Sequence, residues 1–202
     1  KQVKESLDLC LVCKGCKHDC PVNVDMATYK SEFLSHYYKG RFRPRTAYVF
    51  GWIYWWSRLA SLMPNVANFF MHAPVVSSLT KAMMGIAPQR KMPNYAQQTF
   101  KSWFGNRKIK NDRARQKVIL WADTFNNNFL PQTLVAGVEV LEAAGFEVVV
   151  PKKSLCCGRP LYDFGMLKTA KRMLLQILDE LKEDIKNGVP IVGLEPSCVA
   201  VF

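Results

Sequence analysis

The sequence predicts an α+β chain, with a helical N-terminal part followed by an α/β domain whose parallel sheet is truncated at its C-terminus. Three observations carry this. Four cysteines crowd Cys10 to Cys20 and run directly into a helical pattern. From Lys117 onward, short apolar runs alternate with amphipathic segments in the order strand, helix, strand, helix, strand, the signature of a parallel sheet covered by helices. The charge divides at the same place: residues 117–202 hold 9 Lys and Arg and 10 Asp and Glu, against 19 and 6 in residues 1–116. The expected divisions are 1–40, 41–116 and 117–202.

Cys10 to Pro21 reads C-x2-C-x2-C-x3-C-P, the spacing with which tight turns aim thiolates at the corners of an iron–sulfur cubane. Structural zinc takes separated pairs instead. Cys10, Cys13, Cys16 and Cys20 are therefore the expected ligands of [4Fe-4S] clusters. By the two-cluster rule the first three share one cluster and Cys20 reaches another, so the remaining ligands come from elsewhere. His18 reads as a surface residue or a hydrogen-bond donor near cluster sulfur, since the cysteines of the motif are already complete. The chain starts at Lys1 without an initiator Met and stops at Phe202 just after a cysteine, which suggests a piece of a longer polypeptide.

Met26, Tyr29, Phe33 and Tyr37 recur at helical spacing, with Asn23 or Asp25 as N-cap and Gly40 as stop. A cluster run feeding into a helix resembles the α-helical ferredoxin domains of iron–sulfur subunits of flavin-linked dehydrogenases. Residues 41–85 are the least readable. Their aromatic run before Ser57 and Arg58 is too short to span a bilayer; it reads as core or as a docking face, and arginines beside Trp and Tyr are also compatible with peripheral membrane contact. Asn68 to Gly85 reads as a short amphipathic helix interrupted at Pro74. Ile86 to Gln116, rich in Pro, Lys and Arg, reads as an extended basic connector. Its interleaved Trp103 and Phe104 raise single-stranded nucleic acid as a partner, but basic linkers across a larger protein surface are commoner.

The expected strands are Val118–Trp121, Phe146–Val150 and Ile191–Leu194. Of the helices between them, the first carries Leu134, Val138 and Leu141 on one face, and the second carries Leu167, Ala170, Leu174, Ile177, Leu181 and Ile185, with Gly145 and Gly188 as stops. In a parallel sheet, function gathers beyond the carboxyl ends of the strands. Loops 123–128, 154–160 and 195–198 fall there, so Cys156, Cys157 and Cys198 should converge. They form a vestigial site, a docking surface or a metal site completed by Asp123 or Glu195. We expect convergence without a bound cluster, packed against the N-terminal part.

Leu7–Ala27, Trp121–Asn127, Leu155–Gly165 and Gly193–Cys198 together resemble the C-terminal half of long FAD-linked oxidases of the D-2-hydroxyglutarate dehydrogenase type. The Cys-Cys-Gly loop and the later Pro-Ser-Cys also resemble the cysteine-rich domain of heterodisulfide reductase and glycolate oxidase iron–sulfur subunits. The resemblance implies an upstream FAD domain that takes a hydride from a D-2-hydroxy acid such as D-2-hydroxyglutarate, lactate or glycolate. Two [4Fe-4S] clusters then pass electrons to an acceptor, a quinone or an electron carrier. No catalytic residue of the flavin step lies in this chain. Heterodisulfide reductases carry further cysteines where this sequence has Phe125 and Val201. A thiol or heterodisulfide reductase and a non-enzymatic metal-binding module are the competing classes.

At 49% hydrophobic, 202 residues suffice for a sizeable core, which excludes a disordered chain. Seven cysteines are an odd count and a poor disulfide framework, so the expected location is cytoplasmic, with contact at the cytoplasmic membrane face allowed by the net charge of +12.

Overall fold

The computed structural model describes residues 2–107 and 116–201. It opens with α1 (Gln2–Asp8), the cysteine run containing α2 (Gly15–Asp19), and α3 (Met26–Tyr37). Asp25 caps α3 by accepting from the Thr28 amide at 3.0 Å. The buried face of α3 is not the aromatic one expected from spacing. Ala27, Lys30, Ser31 and Leu34 are buried, whereas Met26 and Tyr29 are exposed. A close approach marks this face: a Cβ on Gly165 would lie 2.6 Å from the Ser35 nitrogen and 2.8 Å from Leu34 Cβ.

Residues 41–85 resolve into α4 (Arg45–Gly51), α5 (Ile53–Ala60), α6 (Pro64–His72) and α7 (Pro74–Met84). Proline opens both α6 and α7, where its missing N–H costs nothing, and Gly85 closes α7 at φ 72°. The aromatic run is split at Trp52 between α4 and α5. Among the described residues no helix is long and apolar enough to cross a membrane.

The stretch expected to be an extended connector contains α8 (Phe100–Asn106), capped by Thr99. Phe100 is fully buried, with Trp103 and Phe104 packed beside it. These aromatics therefore pack against a core. Residues 108–115 lie outside the described residues.

The rest alternates: β1 (Lys117–Trp121), α9 (Thr124–Asn128), α10 (Pro131–Ala143), β2 (Glu147–Val149), α11 (Arg159–Asp163), α12 (Leu167–Glu180), α13 (Lys182–Lys186), β3 (Ile191–Gly193) and α14 (Pro196–Val199). All pairing is parallel in the order β2-β1-β3, with Val118 opposite Val148 and Leu120 opposite Val192. The α+β prediction holds. Because β1 is central and covered on both faces, it reads as an unbroken apolar run instead of an alternation. Val118 and Leu120 pack on Phe100, Leu134 and Val138, whereas Ile119 and Trp121 pack on Leu161, Met173 and Ile177. The second cluster also contains Cys156, Cys157 and Cys198, so the core and the strand-end loops are continuous.

Candidate cysteine-lined site

The loops after the three strands are built by their caps. Asp123 Oδ1 accepts from the Phe125 and Asn126 amides, each at 2.9 Å, and Asn126 Nδ2 donates to Oδ2 at 2.7 Å. Burial raises the Asp123 carboxyl above its usual range, against the pull of these bonds. Both oxygens are thus engaged in starting α9. Glu195 caps α14 through the Ser197 amide at 3.1 Å and still faces the cavity between the loops. Gly158 has φ 73°, and a Cβ there would lie 3.3 Å from the Ala170 backbone; glycine alone turns the Cys156–Cys157 loop into α11 without strain.

The loops converge as expected. Cys157 Sγ lies 3.3 Å from Cys198 Sγ, and all three cysteines of this group are buried. Contact with Cys157, followed by burial, raises the Cys156 thiol well above its ordinary value, although Thr124 opposes the shift. Cys156 alone would lower the Cys157 thiol, but Cys198 and burial outweigh it and push Cys157 up to about 12. Cys156 and Cys157 are therefore protonated at neutral pH.

The N-terminal run has a different environment. Val12 and Lys14 adopt left-handed φ of 59° and 63°, which turn the chain tightly around α2. Cys10 and Cys20 are half-buried, and Cys13 and Cys16 are exposed. Backbone N–H groups of Val24, Val22 and Asn23 lower the Cys20 thiol, with Asn23 itself at φ 53°. Successive amides turned toward one sulfur form a nest that favours thiolate. The side chain of His18 lies outside the described ones.

Several bonds strap the run to the strand-end loops. Lys30 Nζ donates to the Cys10 carbonyl at 2.7 Å, and Arg159 Nη2 donates to the Val12 carbonyl. Arg159 Nε also holds Asp163 at 2.8 Å; burial nevertheless raises the Asp163 carboxyl against that pull. Arg43 donates to the Phe164 and Gly165 carbonyls, and Tyr162 bonds Thr28 at 2.8 Å. A cavity of about 520 Å³ lies between, lined by Cys10, Cys156, Cys157, Cys198 and Glu195. Cys13, Cys16, Cys20 and Asp123 do not line it. Arg159 sits directly after Cys-Cys-Gly and was findable from that motif, whereas nothing local marks Lys30.

Among the described residues, no three His, Cys, Asp or Glu side chains are gathered closely enough to hold a metal ion as they stand. The run nonetheless fits an iron–sulfur cluster by donor chemistry: clustered thiols on tight turns, one already favoured as thiolate by N–H groups. The trio fits less well. Two of its thiols are held protonated, and Phe125 offers no fourth sulfur.

Residues 123–202 match the Cysteine-rich domain family, CCG. The whole chain aligns with a D-2-hydroxyglutarate dehydrogenase of Escherichia coli (strain K12), 27% identical over 209 residues and covering 20% of that protein. One subunit of the anaerobic glycerol-3-phosphate dehydrogenase of the same strain is 26% identical over 147 residues, covering 68% of this chain and 37% of the relative. Lactate utilization protein A of Oceanobacillus iheyensis is 39% identical over 65 residues, 32% of this chain and 25% of that protein. The chain thus spans about a fifth of the length of the dehydrogenases it matches throughout. No solved structure matches it.

Proposed function

From a cysteine-rich domain homologous to part of these dehydrogenases, we propose that the chain is the iron–sulfur electron-transfer portion of a flavin-dependent enzyme oxidising a D-2-hydroxy acid. An FAD domain, upstream in the same polypeptide or in the same complex, would take the hydride. Cys10, Cys13 and Cys16 would hold one [4Fe-4S] cluster, and Cys20 would ligate a second. Such clusters, when bound, supply one-electron transfer. The supporting observation is the strapping of the cysteine run onto the cysteine-rich loops, which makes Cys10 and the buried trio walls of one cavity.

The residues of the chain do the rest. Lys30 and Arg159 fix the run through its carbonyls and place positive charge beside it, which favours the more negative, reduced state of a thiolate-ligated site. The amide nest lowers the Cys20 thiol and so eases its conversion to the ligating thiolate. We place the protein in the cytoplasm, at or near the membrane face. Anaerobic purification of the complete enzyme should give about four iron and four acid-labile sulfide per cluster. Stoichiometric zinc without iron would overturn the reading.

A second reading has one observation in its favour, the 3.3 Å contact of Cys157 with Cys198. It is a thiol or heterodisulfide reductase using that pair. It requires cluster-free enzyme to reduce a disulfide substrate, an activity the leading reading does not expect.

A further inference from the structure

A second cavity, of about 660 Å³, lies beside the cysteine-lined one, between the α4–α7 segment and residues 86–95. We propose that it binds a lipophilic quinone. The proposal deepens the electron-transfer reading, on which it rests, by giving the acceptor a site. Its volume suits a ligand of that size. Phe50, Phe125 and Phe129 present aromatic walls, and Met71 and Ile86 supply adaptable apolar surface. The charged side chains on the lining are Arg90 and Lys91, with Tyr48 and Tyr95 as its phenols and no carboxylate among them. That set offers hydrogen-bond donors to carbonyl oxygens and repels a cation.

Position separates a quinone from an inert lipid. Phe50, Ile53 and Phe125 line both cavities, so one layer of side chains divides this space from the chamber containing Cys10 and the buried trio. A quinone held here gains two electrons and two protons to leave as the quinol. Oxidation of a 2-hydroxy acid to the 2-oxo acid releases the same two electrons and two protons. Access is also suited to a molecule dissolved in a bilayer. Tyr48, Phe50 and Trp56 are half-exposed where they line the cavity, and Leu59, Leu62, Met63 and Phe69 are exposed on α5, α6 and the turn between them. Residues 41–100 contain seven Lys and Arg and no Asp or Glu, a charge balance that favours an anionic lipid surface.

The test uses the complete enzyme and a decyl-substituted benzoquinone. Binding is read by quenching of tryptophan fluorescence, since Trp56 lines the cavity, and turnover by quinone reduction beside ferricyanide reduction. We expect saturable quenching that Ile86→Trp abolishes by filling the cavity, and that Arg90→Gln weakens about tenfold. Ferricyanide reduction should persist in both variants. Arg90→Gln changes an exposed side chain, so it remains informative if Ile86→Trp does not fold. Quinone binding unchanged in both variants, or displaced by equimolar oleate while quinone reduction continues at full rate, would overturn the site. Failure of the electron-transfer reading looks different: quenching and its loss in the variants would persist, but the enzyme would contain no iron and reduce neither acceptor.

Discussion

The two cysteine groups of this chain share an element and differ in nearly everything that governs sulfur chemistry. Cys13 and Cys16 are exposed, and Cys20 sits under backbone N–H groups that lower its thiol. Cys156, Cys157 and Cys198 are buried in the core of the α/β part, and the first two are raised. A cysteine on a short run with turned amides is ready to ligate. A cysteine in a packed strand-end loop is a small hydrophobe that must lose a proton before it can bind anything. Clustering in sequence and convergence in space are thus different signals: the first includes Cys20, whose thiol backbone N–H groups lower, and the second includes Cys156 and Cys157, whose thiols are raised.

The largest expected effect sharpens that contrast by function. Cys13→Ser in the complete enzyme should abolish electron delivery to an external acceptor and leave flavin reduction by the hydroxy acid largely intact, because the hydride step and the relay are separate. Stopped-flow bleaching of the flavin beside a steady-state acceptor assay measures both. Loss of flavin reduction would assign the run to the substrate site instead.

Next in size is thiol reactivity. In reduced, chelator-treated protein at pH 8, iodoacetamide should label Cys13, Cys16 and Cys20 and spare Cys157. With a pKa of about 12, Cys157 is thiolate in only about one molecule in ten thousand at that pH. The sign is fixed by the direction of the shift: labelling of Cys157 should rise about tenfold per pH unit up to about 12 in folded protein. Mass-spectrometric mapping that finds Cys157 labelled as fast as Cys13 would break the comparison.

A third prediction concerns the joint between the two groups. Gly165 has φ +69°, and a Cβ there would meet the backbone of Leu34 and Ser35 at 2.8 and 2.6 Å. Gly165→Ala should cost about 3 kcal/mol or more, combining left-handed strain with overpacking against backbone. Gly40 has φ +74° but nothing within 4 Å, so Gly40→Ala should cost only about 1 kcal/mol. Denaturant unfolding of both variants supplies the comparison, and equal costs would show that α3 does not depend on this contact.

Legibility followed the same division. The central strand, the parallel order and the convergence of the loops were readable, because a buried β1 writes itself as Val118–Trp121 and because helix stops at Gly145 and Gly188 are chemical. The buried face of α3 was not. Periodicity marked Met26, Tyr29, Phe33 and Tyr37, but Gly165 lies far away in sequence and packs against the helix at Leu34 and Ser35, on the face that carries Leu34. The extended reading of residues 86–116 missed α8 for a related reason. Phe100, Trp103 and Phe104 form too short a pattern to register, and their burial depends on the sheet that follows. In the site itself the cysteines were visible by spacing, whereas Lys30 acts through a carbonyl twenty positions away and leaves no local trace.

The smallest effect we predict tests whether the two groups are mechanically one site. Arg159 belongs to the cysteine-rich loop, yet it reaches the Val12 carbonyl inside the N-terminal run while its Nε holds Asp163 at 2.8 Å. A guanidinium serves both partners because its donors are spread over a rigid fork; a lysine ammonium at the same site can serve only one well. Arg159→Lys keeps the charge and much of the stem packing, so global stability should change by no more than about 1 kcal/mol. The turn between Cys10 and Cys13 should nevertheless lose its tether. If that tether orients ligating sulfur, iron should leave the variant about tenfold faster under chelator, in the range typical of outer-shell partners, and the iron–sulfur spectrum should shift. Arg159→Ala should lose iron faster still. Iron retention identical to the parent protein in both variants, with stability unchanged, would show that the run keeps its geometry unaided and that the shared cavity is proximity without coupling.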